Sequence, residues 1–302
     1  MLDAARFKLR RFVQSCVRQE LERERKLGGD IRREDPRTGP CVQVAQRHLF
    51  NYWRHLIESG RPLRLSDSGF SIFSQFEEDG LLLFLFAALG TENQMFVDIG
   101  AGDGINSNCA NLALNFAWHG LFVDGDERNM ARGREYYARH RSTWAFPPGF
   151  AHARVTRENI NHVISGAGFE GPIDLLSIDI DGNDYWIWDA LECVTPNVVI
   201  IETHVEFGLR SIVVPYDADH IYPGKHEDYC GASPTAMVKL ARRKGYRLVG
   251  ANNYGFNTIY VRNGLGEDVV PEVRVESVLR HPRNAERAKL FEDIKDWDYV
   301  QV

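Results

Sequence analysis

Apolar residues fall into two alternating patterns along this chain. Short continuous apolar runs occupy 95–99, 121–123, 151–155, 173–180 and 197–201, each bounded by turn-forming residues. Such runs suit strands buried on both faces of a parallel sheet. Between them lie stretches with helical apolar spacing at 105–118, 127–140, 157–166 and 184–191. A further helix over 234–244 has a clear start, with Ser233 as cap and Pro234 in the first position. Two closing strands, 246–250 and 257–261, are joined by a short Gly-containing turn, so the last one must run antiparallel. Strands separated by helices predict an α/β fold with a seven-stranded, mostly parallel sheet and an antiparallel last strand.

The flanks are helical. Leu9, Phe12, Val13, Cys16, Val17 and Leu21 form one stripe of a helix over 3–26 that Gly28-Gly29 ends. That helix is either a dimerisation arm or a cover on its own domain. Residues 30–42 read as a linker, and a second helix over 42–59 turns Phe50, Trp53 and Leu56 inward. At 73–89 the segment SQFEEDG leads into the run LLLFLFAAL, a buried helix. The expected organisation is a helical N-terminal extension (1–70), a central domain (71–265) and a tail (266–302) with a charged helix at 285–295.

With 44% apolar and 26% charged residues, the composition is that of a globular protein, and a net charge of −6 argues against a general nucleic-acid binder. The first forty residues differ, carrying 11 Lys/Arg against 7 Asp/Glu, a net +4 that leaves −10 on the remainder. Five scattered cysteines without a CxxC pair suit reduced, structural thiols in a cytoplasmic setting. No run approaches the roughly 18 apolar residues of a membrane span.

The chemistry concentrates where strands end. Gly100-Ala101-Gly102-Asp103-Gly104 follows the first strand and precedes a helical stretch, the place where open α/β sheets hold nucleotide-like ligands. A dinucleotide fingerprint would place its third glycine at 105, which is Ile, so the spacing favours S-adenosylmethionine (SAM) over NAD. Asp98, Gly100, Gly102, Asp103 and Ser107 are the candidate cofactor residues of this turn. Asp124, preferred over Asp126, ends the second strand and offers two oxygens to two ribose hydroxyls. Thr156 and Asn159 either meet an adenine edge or cap a helix. Gln75, Glu78 and Asp79 either cover the cofactor or serve the helix dipole.

Asp179, Asp181 and Asp184 crowd the end of the fourth strand, and Glu202 with His204 ends the fifth. So many like charges require something positive among them: a sulfonium, a basic side chain, or Mg2+ or Mn2+ held by Asp179, Asp181 and Glu202. A metal there would acidify an acceptor hydroxyl, whereas without one His204 could take the proton itself. The alternative is that 181–184 merely turns the chain and caps the next helix. The polar-aromatic excursion 205–230 is expected to form a lid and shape an acceptor pocket.

Taken together, SQFEEDG (74–80 and its lead-in), FVDIGAGDGINSN (96–108), GLFVDGD (120–126), RENIN (157–161), IDLLSIDIDGNDYWIW (173–188), VVIIETH (198–204) and GYRLVGANNYGFNTIYVR (245–262) resemble the FkbM-like SAM-dependent methyltransferases. The resemblance spans about residues 70–265, closest to a bacterial subgroup with the IDIDGNDYW block. It implies a Rossmann-like class I methyltransferase fold, SAM as cofactor, and O-methylation of a sugar or natural product. Gly100, Gly102 and Asp124 match the family's cofactor turn and ribose acid; Asp179 and Asp181 match its DxEG block, with Asp181 in place of Glu. The expectation is thus a SAM-dependent O-methyltransferase acting on a small-molecule acceptor, with His204, Asp181 and Glu202 catalytic and a homodimer through the N-terminal helices. N- or C-methylation on the same scaffold, or a SAM-binding protein without catalysis, are the other readings.

Overall fold

Alternation along each strand divides the core in two. The strands are β1 (Met95–Ile99), β2 (His119–Asp124), β3 (Gly149–His152), β4 (Gly171–Ile178), β5 (Val194–Glu202), β6 (Ile212–Val213), β7 (Tyr246–Ala251), β8 (Asn257–Arg262) and β9 (Val300–Gln301). Phe96, Phe122, Leu175, Val198, Ile200 and Ile259 point to one face, while Val97, Ile99, Leu121, Leu176, Val199 and Tyr260 point to the other. Both faces are therefore apolar, as the continuous runs require. The computed structural model describes residues 35–61 and 63–302, so the helix expected over 3–26 lies outside the described residues. All elements belong to one unit, Pro36–Val302.

The main sheet has the order β3-β2-β1-β4-β5-β8-β7, with β8 antiparallel to both neighbours and the other pairs parallel. This is the Rossmann-like class I methyltransferase plan expected from the sequence. The chain starts in the middle, winds out to β3, and returns across β1 to β4, so the switch point lies between β1 and β4. Ligands of open α/β sheets bind at that point.

The helices are α1 (Pro40–Glu58), α2 (Glu78–Leu89), α3 (Ala110–Phe116), α4 (Glu127–Arg139), α5 (Ile160–Gly166), α6 (Asp184–Ala190), α7 (Pro234–Arg243) and α8 (Asn284–Arg287). Helix α2 is apolar all round because it lies between the sheet and α1; Trp53 meets Phe84 edge-on at 5.6 Å. Trp53 and Leu56 are buried and Phe50 packs beside them, as the helical spacing indicated. Ser233 caps α7, its hydroxyl accepting from the Ala236 amide at 3.0 Å. Among the described residues no helix is long and apolar enough to cross a membrane.

Two expectations are corrected. The helix expected over 105–118 begins only at Ala110, so the glycine turn opens into further turns rather than directly into a helix. Gly102 and Gly104 take positive φ, and the Gly104 and Ile105 amides donate back to the Ala101 carbonyl and the Asp103 carboxylate, so local turn bonds win over helical ones there. The charged helix expected at 285–295 is broken into α8 and a short 3-10 turn at Leu290–Asp293. Phe291 and Ile294 instead insert among Phe207, Ile212 and Tyr229, and β9 pairs antiparallel with β6. The tail is thereby woven into the 205–230 excursion.

Candidate functional site

The glycine turn is built by two close approaches. Gly100 has φ +81°, and a Cβ on it would lie 1.7 Å from the Asp179 carbonyl oxygen, so only glycine lets the ends of β1 and β4 meet. Gly102, at φ +58°, donates its N–H to Asp124 Oδ2 at 3.0 Å. The other oxygen of Asp124 accepts from the Asp126 amide at 2.8 Å. Asp126 itself is an exposed cap of α4, accepting from the Arg128 amide at 2.7 Å. Asp124, not Asp126, faces the space above the turn.

That space is a cleft of about 420 Å³. It is lined by Gly100, Asp124, Asp179 and Asp181, by the apolar Ala153 and Val155, and by Ala218, His220, Ile221 and Tyr222 of the excursion. The excursion is pinned there by three contacts. Arg154 Nη2 donates to the His220 carbonyl at 2.8 Å, His220 Nε2 meets the Asp181 carbonyl at 2.9 Å, and Asn183 Nδ2 donates to the Asp217 carbonyl at 2.8 Å. A Cβ on Gly182 would lie 2.5 Å from His220 Nε2, so the glycine admits the ring. The sequence places His220 in the expected lid as a packing or surface residue, but not its partner, a backbone carbonyl 39 positions away.

The acidic cluster assembles at the end of β5 and just beyond that of β4, where Asp181 sits in a turn at φ +53°. One oxygen from each of Asp179, Asp181 and Glu202 lies within 4.8 Å of the others. Burial, then the neighbouring Asp184 and Asp181, push the Asp179 carboxyl up to about 8. Burial, then the neighbouring Asp179, Asp184 and Asp181, raise Glu202 well above the ordinary carboxylate range, and its buried Oε2 has no hydrogen-bond partner. Asp184 stands apart: it accepts from the Ile180 and Gly182 amides, each at 2.9 Å, and so fixes the turn that holds Asp181 at φ +53°. The chain-turning alternative thus describes Asp184, and Asp181 lies in the same turn.

His204 sits between two carboxylates, with Nε2 3.8 Å from Glu202 and Nδ1 3.8 Å from Glu206. Cys230 Sγ lies 3.5 Å from Nε2, and a Cβ on Gly231 would meet the ring at 2.4 Å. Burial and the surrounding acids push the Cys230 thiol up, which suits a structural role. Glu206 is buried and paired with Arg287 of α8, Nε to Oε1 2.5 Å. Neither residue of that pair was legible beforehand, because α8 reaches Glu206 from 81 positions away.

Other candidates stand elsewhere. Asp98 is buried on β1 opposite Ser177; burial pushes it up to about 6, and its Oδ2 has no hydrogen-bond partner. Ser107 is buried nearby, its hydroxyl likewise without a partner. Asp103 turns away from the cleft, accepting from the Ile105 amide at 2.9 Å and pairing with Arg132 at 3.1 Å. Thr156 and Asn159 bond each other across one turn, the Thr156 amide donating to Asn159 Oδ1 at 2.8 Å. Gln75 is exposed before α2 and does not line the cleft.

Glu78 and Asp79 form a buried clamp rather than a cover. Glu78 Oε1 accepts from Asn252 at 2.8 Å and Asn257 at 2.9 Å, while Asp79 Oδ2 gathers the amides of Ile72, Phe73 and Ser74 at 2.6–3.0 Å. Thr203 Oγ1 in turn donates to the Gly255 carbonyl at 3.0 Å. SQFEEDG, ETH and ANNYGFN are thus hydrogen-bonded into one scaffold beside the acids.

The strand order and the cleft at its switch point define a Rossmann-like α/β protein of the class I methyltransferase plan. No protein-family model matches the sequence, and no curated protein matches it. Solved structures do resemble it. A SAM-dependent methyltransferase from Clostridium acetobutylicum shares 11% identity over 60% of this chain and 88% of its own, with a TM-score of 0.39. Magnesium protoporphyrin IX methyltransferase from Synechocystis, with bound SAM, shares 14% over 62% and 78%, with a TM-score of 0.37. An O-methyltransferase family protein from Burkholderia thailandensis shares 12% over 61% and 58%, with a TM-score of 0.37. At such values the likeness carries no argument, and the fold assignment rests on strand order and direction.

Proposed function

We propose that the protein is a SAM-dependent methyltransferase that modifies a hydroxyl of a sugar or natural-product small molecule. The observation that carries this reading is one cleft lined together by Gly100, Asp124 and Asp179. When bound, SAM supplies a methyl group on a sulfonium, open to in-line displacement. Asp124 keeps lone pairs beyond its two backbone bonds, enough to accept from ribose hydroxyls. Gly100 and Gly102 let the backbone approach without a Cβ, and Ala153 with Val155 gives an adenine ring an apolar wall. Asp179, held protonated by burial and its acidic neighbours, ionises readily opposite a positive group.

His204 Nε2 is the proton acceptor of this scheme, with Glu206 beside Nδ1 stabilising the imidazolium that results. Asp179, Asp181 and Glu202 also fit a hard divalent cation: three carboxylates converge, and one buried oxygen of Glu202 has no partner. Mg2+ or Mn2+ held there would lower the pKa of an acceptor hydroxyl. Titration calorimetry with SAM, followed by incubation with labelled SAM and a small-molecule extract with and without Mg2+, tests the reading. Heat on SAM addition and a labelled small molecule are expected; a protein that gives no heat with SAM refutes it.

A further inference from the structure

Between α4 and β3 the chain turns two large apolar side chains outward. Trp144 is 61% exposed and Phe146 85%, in a loop that ends on Pro147-Pro148. Hydrogen bonds fix its backbone. The Thr143 and Trp144 amides donate to the His140 carbonyl at 3.1 and 2.9 Å, and the Phe146 amide to the Thr143 carbonyl at 3.0 Å. Thr143 is buried and donates Oγ1 to the Tyr137 carbonyl at 2.6 Å. The loop is also anchored to the start of α1, where Thr38 Oγ1 meets His140 Nε2 at 3.1 Å and Arg141 donates to the Thr38 carbonyl at 3.2 Å. A slack loop would turn such rings inward; this one is held in a shape that keeps them in water.

The surroundings are basic. Residues 132–146 hold Arg132, Arg134, Arg139 and Arg141, all exposed, against the single acid Glu135, in a protein of net charge −6. Arg139 pairs with Glu135 and Arg132 with Asp103, yet both arginine side chains stay at the surface, 77% and 66% exposed. The acids Asp126 and Glu127 stand at the other end of α4, about 18 Å away along the helix. The described chain begins three residues before Thr38, and the first forty residues add a net +4 on this side.

Rings at the loop and cations on the helix leading into it fit one partner chemistry. Trp and Phe settle at the headgroup level of a bilayer, and arginine is drawn to anionic lipid phosphates. A single-stranded nucleic acid would instead need cations along a groove with the rings inside it. We propose that the α4–β3 loop docks on a bilayer containing anionic lipid, with Trp144 and Phe146 entering the headgroup layer and Arg134, Arg139 and Arg141 meeting phosphates. The loop precedes β3 and so lies at the amino end of the parallel strands, whereas the cleft lies at their carboxyl end. Docking therefore leaves the cleft open to water, and it holds whether or not the cleft transfers a methyl group.

The test sediments the full chain with vesicles of phosphatidylcholine alone and of phosphatidylcholine mixed with phosphatidylglycerol. Partition into the mixed vesicles is expected to exceed that into neutral ones by about tenfold or more at low salt, and to fall as salt is raised. Trp144→Ser combined with Phe146→Ser should cut partition by about tenfold with the melting temperature unchanged, since both side chains are exposed. Arg134→Gln combined with Arg139→Gln should remove the preference for anionic lipid. Lipid brominated in its acyl chains should quench tryptophan emission in the parent and not in Trp144→Phe. No sedimentation with mixed vesicles, equal sedimentation with both kinds, or full sedimentation of the serine double variant overturns the proposal. So does binding to a mixed-sequence single-stranded RNA that the serine variant loses, with vesicles left unbound by the parent.

Discussion

The backbone carbonyl of Asp179, just after β4, packs against Gly100 in the turn after β1. One contact thereby joins the glycine turn to the acidic cluster. Gly100→Ala should disrupt both, because the methyl would fall 1.7 Å from a backbone atom at a φ of +81°. The left-handed conformation alone costs an alanine about 1–2 kcal/mol, and the overlap adds to it. Denaturant unfolding and SAM calorimetry should show lower stability and binding weakened beyond detection; wild-type values for both would contradict the geometry.

SAM affinity should rise with pH. Asp179 is protonated below about 8 in the folded protein, and a cationic ligand beside it favours the carboxylate, so binding expels a proton below that pH. Affinity is then expected to climb by up to about tenfold per pH unit between pH 6 and 8 and to level off above. Proton release, measured by calorimetry in buffers of different ionisation heat, should vanish in Asp179→Asn.

The same group sets a sign for stability. A carboxyl raised in the folded state disfavours folding once the unfolded chain would ionise, so ligand-free stability should fall as pH climbs from about 4 towards 8. Asp179→Asn should flatten that decline in urea unfolding curves taken across the range.

Replacing His204 separates proton removal from cofactor binding. His204→Ala should lower methyl transfer by about 10²–10⁴-fold while SAM affinity changes little. Asp181→Ala with a Mg2+ titration identifies the metal route: a turnover that depends on Mg2+ in the parent and not in the variant supports it. Unchanged turnover in both variants would remove these residues from the chemistry.

The Glu78 clamp predicts a contrast between two substitutions. Glu78→Ala strands the buried amides of Asn252 and Asn257 and should destabilise by about 2–4 kcal/mol. Glu78→Gln retains a carbonyl acceptor at the same reach and should cost less. Equal losses in the two would mean that the side chain acts through packing alone.

Strand and helix were largely legible because each is a local periodicity: continuous apolar runs at 95–99, 173–180 and 197–201 could bury both faces only inside a sheet. The glycine turn was legible for the same reason, since its glycines, Asp98 and Asp124 sit at strand ends. Asp179, Asp181 and His204 lie beyond the strand ends, and Asp181 turns at φ +53°, so their grouping follows from the turns after β4 and β5 and not from alternation. Boundaries were less legible where polar side chains compete with helical bonds, as at 105–109.

Sequence alone determined which residues could reach the carboxyl edge of the sheet; tertiary structure decided which of them meet. Glu78 and Asn252 are 174 positions apart, Arg287 and Glu206 81, and His220 and Asp181 39, and no local pattern links such partners. Asp103, Asp126, Thr156 and Asp184 have the composition of site residues, yet each bonds to its own neighbourhood. Short polar side chains satisfy adjacent backbone groups as readily as a ligand does, and only the position of every other chain segment settles which they do.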